Sequence, residues 1–121
     1  MRLFALRGAN TVAENRREAI LAATDELMRA LLERNGLSAD ALVSCIFTLT
    51  EDLDAEFPAV AARGMGLEHV PLLCAREIPV PGSLPGVIRA LVHYHADDDH
   101  RPTHVYLRGA RALRADLDSA Q

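Results

Sequence analysis

The sequence predicts one α/β domain over residues 1–121, built on a mixed sheet with its helices on one face. Three observations predict it. The chain has 121 residues, the length of a single domain. Its apolar residues switch between a two-residue and a helical period. The predicted elements follow in the order strand, helix, strand, helix, strand, short helical turn, strand, strand, which fits a two-layer arrangement.

The first element, Arg2-Leu3-Phe4-Ala5-Leu6-Arg7, is short and apolar-rich, and Gly8 behind it predicts a strand that ends at Arg7. A helix over 15–35 follows. Asn15 and Glu18 have the spacing of a capping box, and Ile20, Ala23, Leu27 and Leu31 recur on one helical stripe. Arg34 and then Gly36 supply its C-terminal signals. Leu42 to Thr50 is rich in β-branched and aromatic residues and reads as a buried strand. Glu51-Asp52-Leu53-Asp54 is an acidic loop. Phe57 to Arg63 is a short helix with Pro58 near its start and Gly64 as its stop.

Val70 to Glu77 reads as a third strand. Pro79, Pro81, Gly82 and Ser83 then make a rigid loop capping a short helical turn. Val87 to His95 fits helix or strand. The strand reading is preferred, with Ile88, Ala90, Val92 and Tyr94 on one face and Arg89, Leu91, His93 and His95 on the other. His104 to Leu107 is a last strand, and the tail from Ala112 to Leu117 reads as short and irregular.

Composition bounds the function. Half of the residues are hydrophobic and a quarter charged, which excludes a disordered chain or a collagen. No apolar run reaches the ~20 residues of a membrane span, and the N-terminal stretch does not read as a signal peptide. Two cysteines, Cys45 and Cys74, make no disulfide framework, so a cytoplasmic setting is expected. A net charge of −4 argues against a nucleic-acid binder. All 13 positive side chains are arginine. Genome bias accounts for that, but arginine is also the side chain that grips carboxylates in a bidentate fork.

Several signatures of chemistry are absent: GxGxxG, a P-loop, GxSxG, HExxH and paired CxxC. His93, His95, Asp97–Asp99, His100 and His104 are metal-ligating types, but a run of aspartates reads first as a solvated turn, and no metal is expected. Cys74 is either a nucleophile without a fixed partner or a hydrogen-bonding thiol. Arg7, Arg63, Glu77, Arg89 and Arg114 lie at strand ends together with Tyr106. Each alone reads as a surface charge. Glu77 closes an apolar strand and Arg89 interrupts an apolar stretch, where a charge needs a partner or a task. The residues by themselves imply an arginine-rich anion site.

Six segments carry a resemblance: Arg7-Gly8-Ala9 with Thr11-Val12; Asp52-Leu53, then Phe57-Pro58-Ala59 and Arg63; Val70-Pro71 leading to Cys74 and Glu77; Ile88-Arg89; His104-Val105-Tyr106-Leu107; and Leu113-Arg114 with Asp116-Leu117. In order and spacing they resemble the small trimeric α/β class of monofunctional chorismate mutases. The resemblance implies a ferredoxin-like unit, three copies forming a pseudo-barrel with clefts between subunits. It implies the [3,3] rearrangement of chorismate to prephenate in phenylalanine and tyrosine biosynthesis, without a cofactor.

By position it implies that Arg7, Arg89 and Tyr106 hold the carboxylates and the ether oxygen, with Arg89, Glu77 and Arg7 the catalytic set. Glu77 and Cys74 would meet the ring hydroxyl, and the backbone of Leu73, Cys74, Ala75, Arg76 and Glu77 would line the cleft. Phe57, Leu72 and Leu113 would form its apolar wall, with Arg63 and Arg114 near the mouth. Val60 departs from the family pattern, in which some members carry a charge at the entrance. Two rivals share parts of this pattern: a trimeric module that binds or deaminates small metabolites, and a non-catalytic interaction protein.

Overall fold

The computed structural model describes residues 1–114. Strands β1 (Arg2–Thr11), β2 (Leu42–Leu49), β3 (Leu72–Arg76), β4 (Val87–Ala96) and β5 (Val105–Tyr106) form one mixed sheet in the order β3-β2-β4-β1-β5. Strand β4 is antiparallel to both β1 and β2, while β3 and β5 run parallel to β2 and β1. The segment from β1 through helix α1 (Arg17–Arg34) to β2 is thus a split β-α-β unit with β4 in the gap.

Helix α1 and the short helix α2 (Pro58–Ala62) cover one face of the sheet. Leu27, Met28 and Leu31 of α1 and Ala59 and Ala62 of α2 pack on Phe4, Leu6, Cys45, Phe47, Ala90, Val92 and Tyr94. The expected alternation along β4 holds, with Ile88, Ala90, Val92 and Tyr94 buried beneath the helices. Among the described residues neither α1 nor α2 covers the other face, and the turn of residues 108–114 packs on one end of it, over Ala9 and Val87. Leu3 and Leu73 stand 54% and 62% exposed on that face.

Some expectations need correction. Strand β1 does not end at Arg7 but runs to Thr11. Gly8 lies within the strand because α1 comes so close: a Cβ there would stand 2.9 Å from Leu27 Cδ1. Helix α1 begins at Arg17, and its cap residue Arg16 makes no side-chain capping bond. Asn15 is engaged elsewhere, accepting the backbone N–H groups of Asp54 (2.9 Å) and Ala55 (3.0 Å) and so fastening the loop before α2. A long-range bond has displaced the local cap.

After α2 the chain continues through a wider turn, Arg63–Leu67, and bends at Gly66 (φ 95°) rather than stopping at Gly64. Strand β3 starts at Leu72 rather than Val70, and β5 keeps only two residues. The loop of residues 77–86 holds turns but no helical turn, since its three prolines leave few N–H donors. The tail was expected to be irregular, yet residues 108–114 form a 3₁₀ turn running into helix. The rest of that expectation, residues 115–117, lies outside the described residues.

Candidate active site

Strand pairing gathers the site on the uncovered face. Ala75 pairs with Thr48, Thr48 with Arg89, Arg89 with Ala9 and Ala9 with Tyr106, one row crossing all five strands. Directly paired residues share a face of the sheet, so their side chains project together. Arg7 lies on the same face, two residues before Ala9. Glu77 extends the row's edge: its N–H donates to the carbonyl of Leu49 (2.8 Å), continuing the β2–β3 pairing by one residue.

The row floors a cavity of about 280 Å³ bordered by Arg7, Ile46, Thr48, Glu77, Arg89, Leu91 and Tyr106. Ala9, fully buried between Arg89 and Tyr106, leaves the space that a larger side chain would fill. A larger groove of about 420 Å³ adjoins it along residues 77–85. That groove carries Glu51, Asp52 and Glu77 and no cation, so an anion is repelled there and drawn to the arginine pocket.

Within the pocket the Thr48 hydroxyl donates to the Glu77 carboxylate. The Nε of Arg89 lies 3.2 Å from a Glu77 oxygen. That nitrogen is buried and has no hydrogen-bond partner: the two charges touch, but the N–H is not aimed along the contact. A buried charged donor left unbonded in this way is uncommon in a folded chain and is a feature of functional sites. Arg7 pairs with no carboxylate among the described residues. Its backbone N–H donates to His104 Nδ1 (3.0 Å), which requires that nitrogen to be unprotonated. Burial, then the charges of Arg7 and Arg114, pushes the His104 pKa down and keeps the ring neutral.

Of the expected site residues, Arg7, Glu77, Arg89 and Tyr106 come together. Leu113 packs beside Tyr106 against Ala9, Val87 and Ala110. Leu113 and the remaining expected residues do not line this pocket within one chain. Phe57 and Arg63 are exposed around α2, on the helix layer. Leu72 and Cys74 pair with Cys45 and Phe47 and pack, half-buried, against the core beneath the helices. Arg76 is exposed and reaches toward the carbonyl of Thr50 (3.5 Å). Leu73 and Ala75 face the open side on the edge strand, and Arg114 is exposed at the end of the described chain. Val60 is half-buried on α2.

Thr48, Ala9, Ile46 and Leu91 were not expected in the site. Only the cross-strand register could have found them. The histidines serve separate partners: His100 Nε2 meets the Tyr94 hydroxyl at 2.7 Å and His93 meets Ser44 at 3.3 Å. Among the described residues no three His, Cys, Asp or Glu side chains converge as a metal set would require. Cys45 is buried, which pushes its thiol up to about 12, so it stays an inert core residue.

Comparison with known proteins agrees along the whole length. The family model for chorismate mutase type I matches residues 3–117. The chain is 56% identical over 118 residues to the chorismate mutase AroH of Thermus thermophilus, covering 96% of this chain and 97% of that one. It is 35% identical over 119 residues to the AroH chorismate mutase of Bacillus subtilis (strain 168), covering 97% and 94%. The solved structure of a chorismate mutase from Clostridium thermocellum superposes with a TM-score of 0.88 at 49% identity, covering 91% of this chain and 99% of that one.

Proposed function

The chain belongs to the type I chorismate mutase family, and from that premise we propose how its arginine pocket performs the reaction. The activity is that of a chorismate mutase, an isomerase. Chorismate is a dianion with a ring hydroxyl and an enolpyruvyl ether. Its [3,3] rearrangement to prephenate breaks one C–O bond as one C–C bond forms, in a single cyclic electron shift without proton transfer. The enzyme therefore has two tasks. It holds the flexible dianion in its compact reactive conformer, and it sets positive charge where the breaking ether oxygen gains electron density.

The single observation that carries this reading is the buried, unpartnered Nε of Arg89 beside Glu77. In the proposal Arg89 donates to the ether oxygen, and the donor is used most fully in the transition state. Arg7 and Tyr106 hold the carboxylates, and Glu77, fixed by Thr48, accepts from the ring hydroxyl. Arginine suits both tasks, since its charge is not lost at neutral pH and its fork matches a carboxylate.

The site is completed, in this proposal, by a neighbouring copy. Three ferredoxin-like units form a trimeric pseudo-barrel with their sheets turned inward. Support comes from the uncovered sheet face, with Leu3 and Leu73 exposed on it, and from Phe57, Arg63, Leu72 and Cys74 lying away from this chain's own pocket. In the trimer these residues, with the backbone of Leu73–Glu77 on edge strand β3, border the pocket of the adjacent subunit. In that assembly Leu113 adds to the wall of its own chain's pocket, and Arg114 stands near the mouth. We place the enzyme in the cytoplasm: both thiols are free, and no helix of the described residues is long and apolar enough to cross a membrane. The test is direct. Purified protein should abolish the ultraviolet absorbance of chorismate as prephenate appears, and the pocket reading fails if substitution of Arg89 leaves that rate unchanged.

A further inference from the structure

Tyr106 sits on the shortest strand of the sheet: two paired residues join β5 to β1, flanked by the Leu107 N–H, which donates to the carbonyl of Ala9 (2.9 Å), and by the Arg7 N–H on His104. Just beyond it Arg108 takes φ 49°, the one positive value at a non-glycine residue among those described. A side chain disfavours that left-handed backbone, which persists where the surroundings hold it. Here the holder is Glu26 on α1. Its Oε1 accepts Arg108 Nε (2.9 Å) and its Oε2 accepts Nη2 (2.8 Å), a bidentate fork.

Glu26 is fixed in turn by Asn10, which is fully buried. The Asn10 amide donates to Glu26 Oε1 (2.9 Å) and to the carbonyl of Ala23 (3.0 Å), while its oxygen accepts the N–H of Thr11 (2.9 Å). Gly109 closes the knot by donating to Thr11 Oγ1 (3.1 Å). The Arg108 fork, and less strongly the Asn10 amide, holds the Glu26 carboxyl below its ordinary range against a modest burial penalty. The knot therefore stays charged at neutral pH. An exposed ion pair alone adds little. This one is anchored to a buried amide and clamps a strained residue two positions after Tyr106.

We propose that Asn10, Glu26 and Arg108 are positioning residues for the reaction: by locking Arg108 left-handed they set Tyr106 and the helical turn bearing Leu113 and Arg114 at the pocket. The proposal rests on the reading that this pocket binds chorismate. It is tested by measuring kcat and KM for chorismate, and hydrogen exchange of the amides of residues 105–110, in Glu26→Ala, Arg108→Gly, the double variant and Tyr106→Phe.

Glu26→Ala should raise KM about three- to tenfold, with kcat within about twofold and faster exchange in the segment. Glycine adopts φ 49° without a holder. Adding Glu26→Ala to Arg108→Gly should therefore leave KM where Arg108→Gly put it. The proposal is overturned if Glu26→Ala leaves KM at the wild-type value, whether or not exchange quickens. It is equally overturned if the double variant loses as much relative to Arg108→Gly as Glu26→Ala loses alone. Should Tyr106→Phe have no effect, the role given to Tyr106 is what fails, and a raised KM in Glu26→Ala then assigns the lock to Leu113 and Arg114.

Discussion

Arg89 Nε lies 3.2 Å from a carboxylate oxygen of Glu77, yet its N–H forms no hydrogen bond with it. Contact without alignment leaves a buried donor open, at a cost of about 1–3 kcal/mol until an acceptor arrives. Such donors are uncommon in folded proteins, and the proposed mechanism gives this one a task. The Glu77 charge meanwhile offsets that of Arg89, and a ligand need not displace a well-made bond to reach the guanidinium.

Arg89→Gln should therefore lower turnover about a hundred- to a thousandfold, the loss typical of one preorganised donor. Arg89→Lys should rescue only part, because a compact ammonium cannot reproduce the guanidinium's position and paired donors. KM should change less than kcat. Steady-state kinetics on variants shown to be folded decide it, and wild-type turnover in Arg89→Gln removes Arg89 from the mechanism.

Thr48 anchors the other member of the pair by donating to the Glu77 carboxylate. Thr48→Val keeps the shape and removes the donor, so kcat/KM should fall about tenfold, the scale of one hydrogen bond to a charged group. Thr48→Ser restores the hydroxyl and should restore most of the rate. If Thr48→Val matches the wild type, Glu77 is held by other contacts.

Assembly is the next expectation. The protein should sediment as a trimer, and dilution or interface substitutions that release monomer should abolish activity, since the proposal draws Phe57 and Arg63, which do not line their own chain's pocket, from a neighbouring copy. A fully active monomer contradicts it.

Cys74 is half-buried beneath the helices in its own chain, and the proposed reaction moves no proton. Cys74→Ser should keep most of the activity, and kcat should be nearly flat from about pH 6 to 9, because a bell-shaped profile reports an essential acid and base. A bell-shaped profile points instead to acid–base catalysis, and loss of turnover in Cys74→Ser to a covalent role for the thiol.

His104 gives stability a pH dependence of known sign. Its pKa is lowered in the fold from an ordinary 6.5, so below that value the unfolded chain binds the extra proton more readily. The stabilisation is complete above pH 6.5 and is lost as the pH falls toward the lowered folded value. Urea unfolding midpoints should drop between about pH 7 and 5. In His104→Gln, whose side-chain oxygen can still accept the Arg7 N–H, that part of the drop should vanish. An unchanged slope shows that other groups carry it.

The sequence by itself determined what is written in short-range periodicity. The stripe Ile20–Leu27–Leu31 specified α1, the alternation from Val87 to His95 favoured a strand over a helix and gave its two faces, and the odd placement of Arg89 and Glu77 marked an anion site. These signals need only neighbours within a turn or a pleat. Tertiary structure decided the rest. Asn15 reads locally as a cap but is captured by the backbone of Asp54 and Ala55. Gly8 reads locally as a strand end but makes room for Leu27. The row Ala75–Thr48–Arg89–Ala9–Tyr106 exists only once four strand registers are fixed. A one-residue slip in any of them turns side chains to the opposite face, and register is set by burial of the whole helix-covered face, a sum over residues far apart in the chain. That is why single residues of the site could be named from the sequence while Thr48 and Ala9, ordinary residues in an important row, could not.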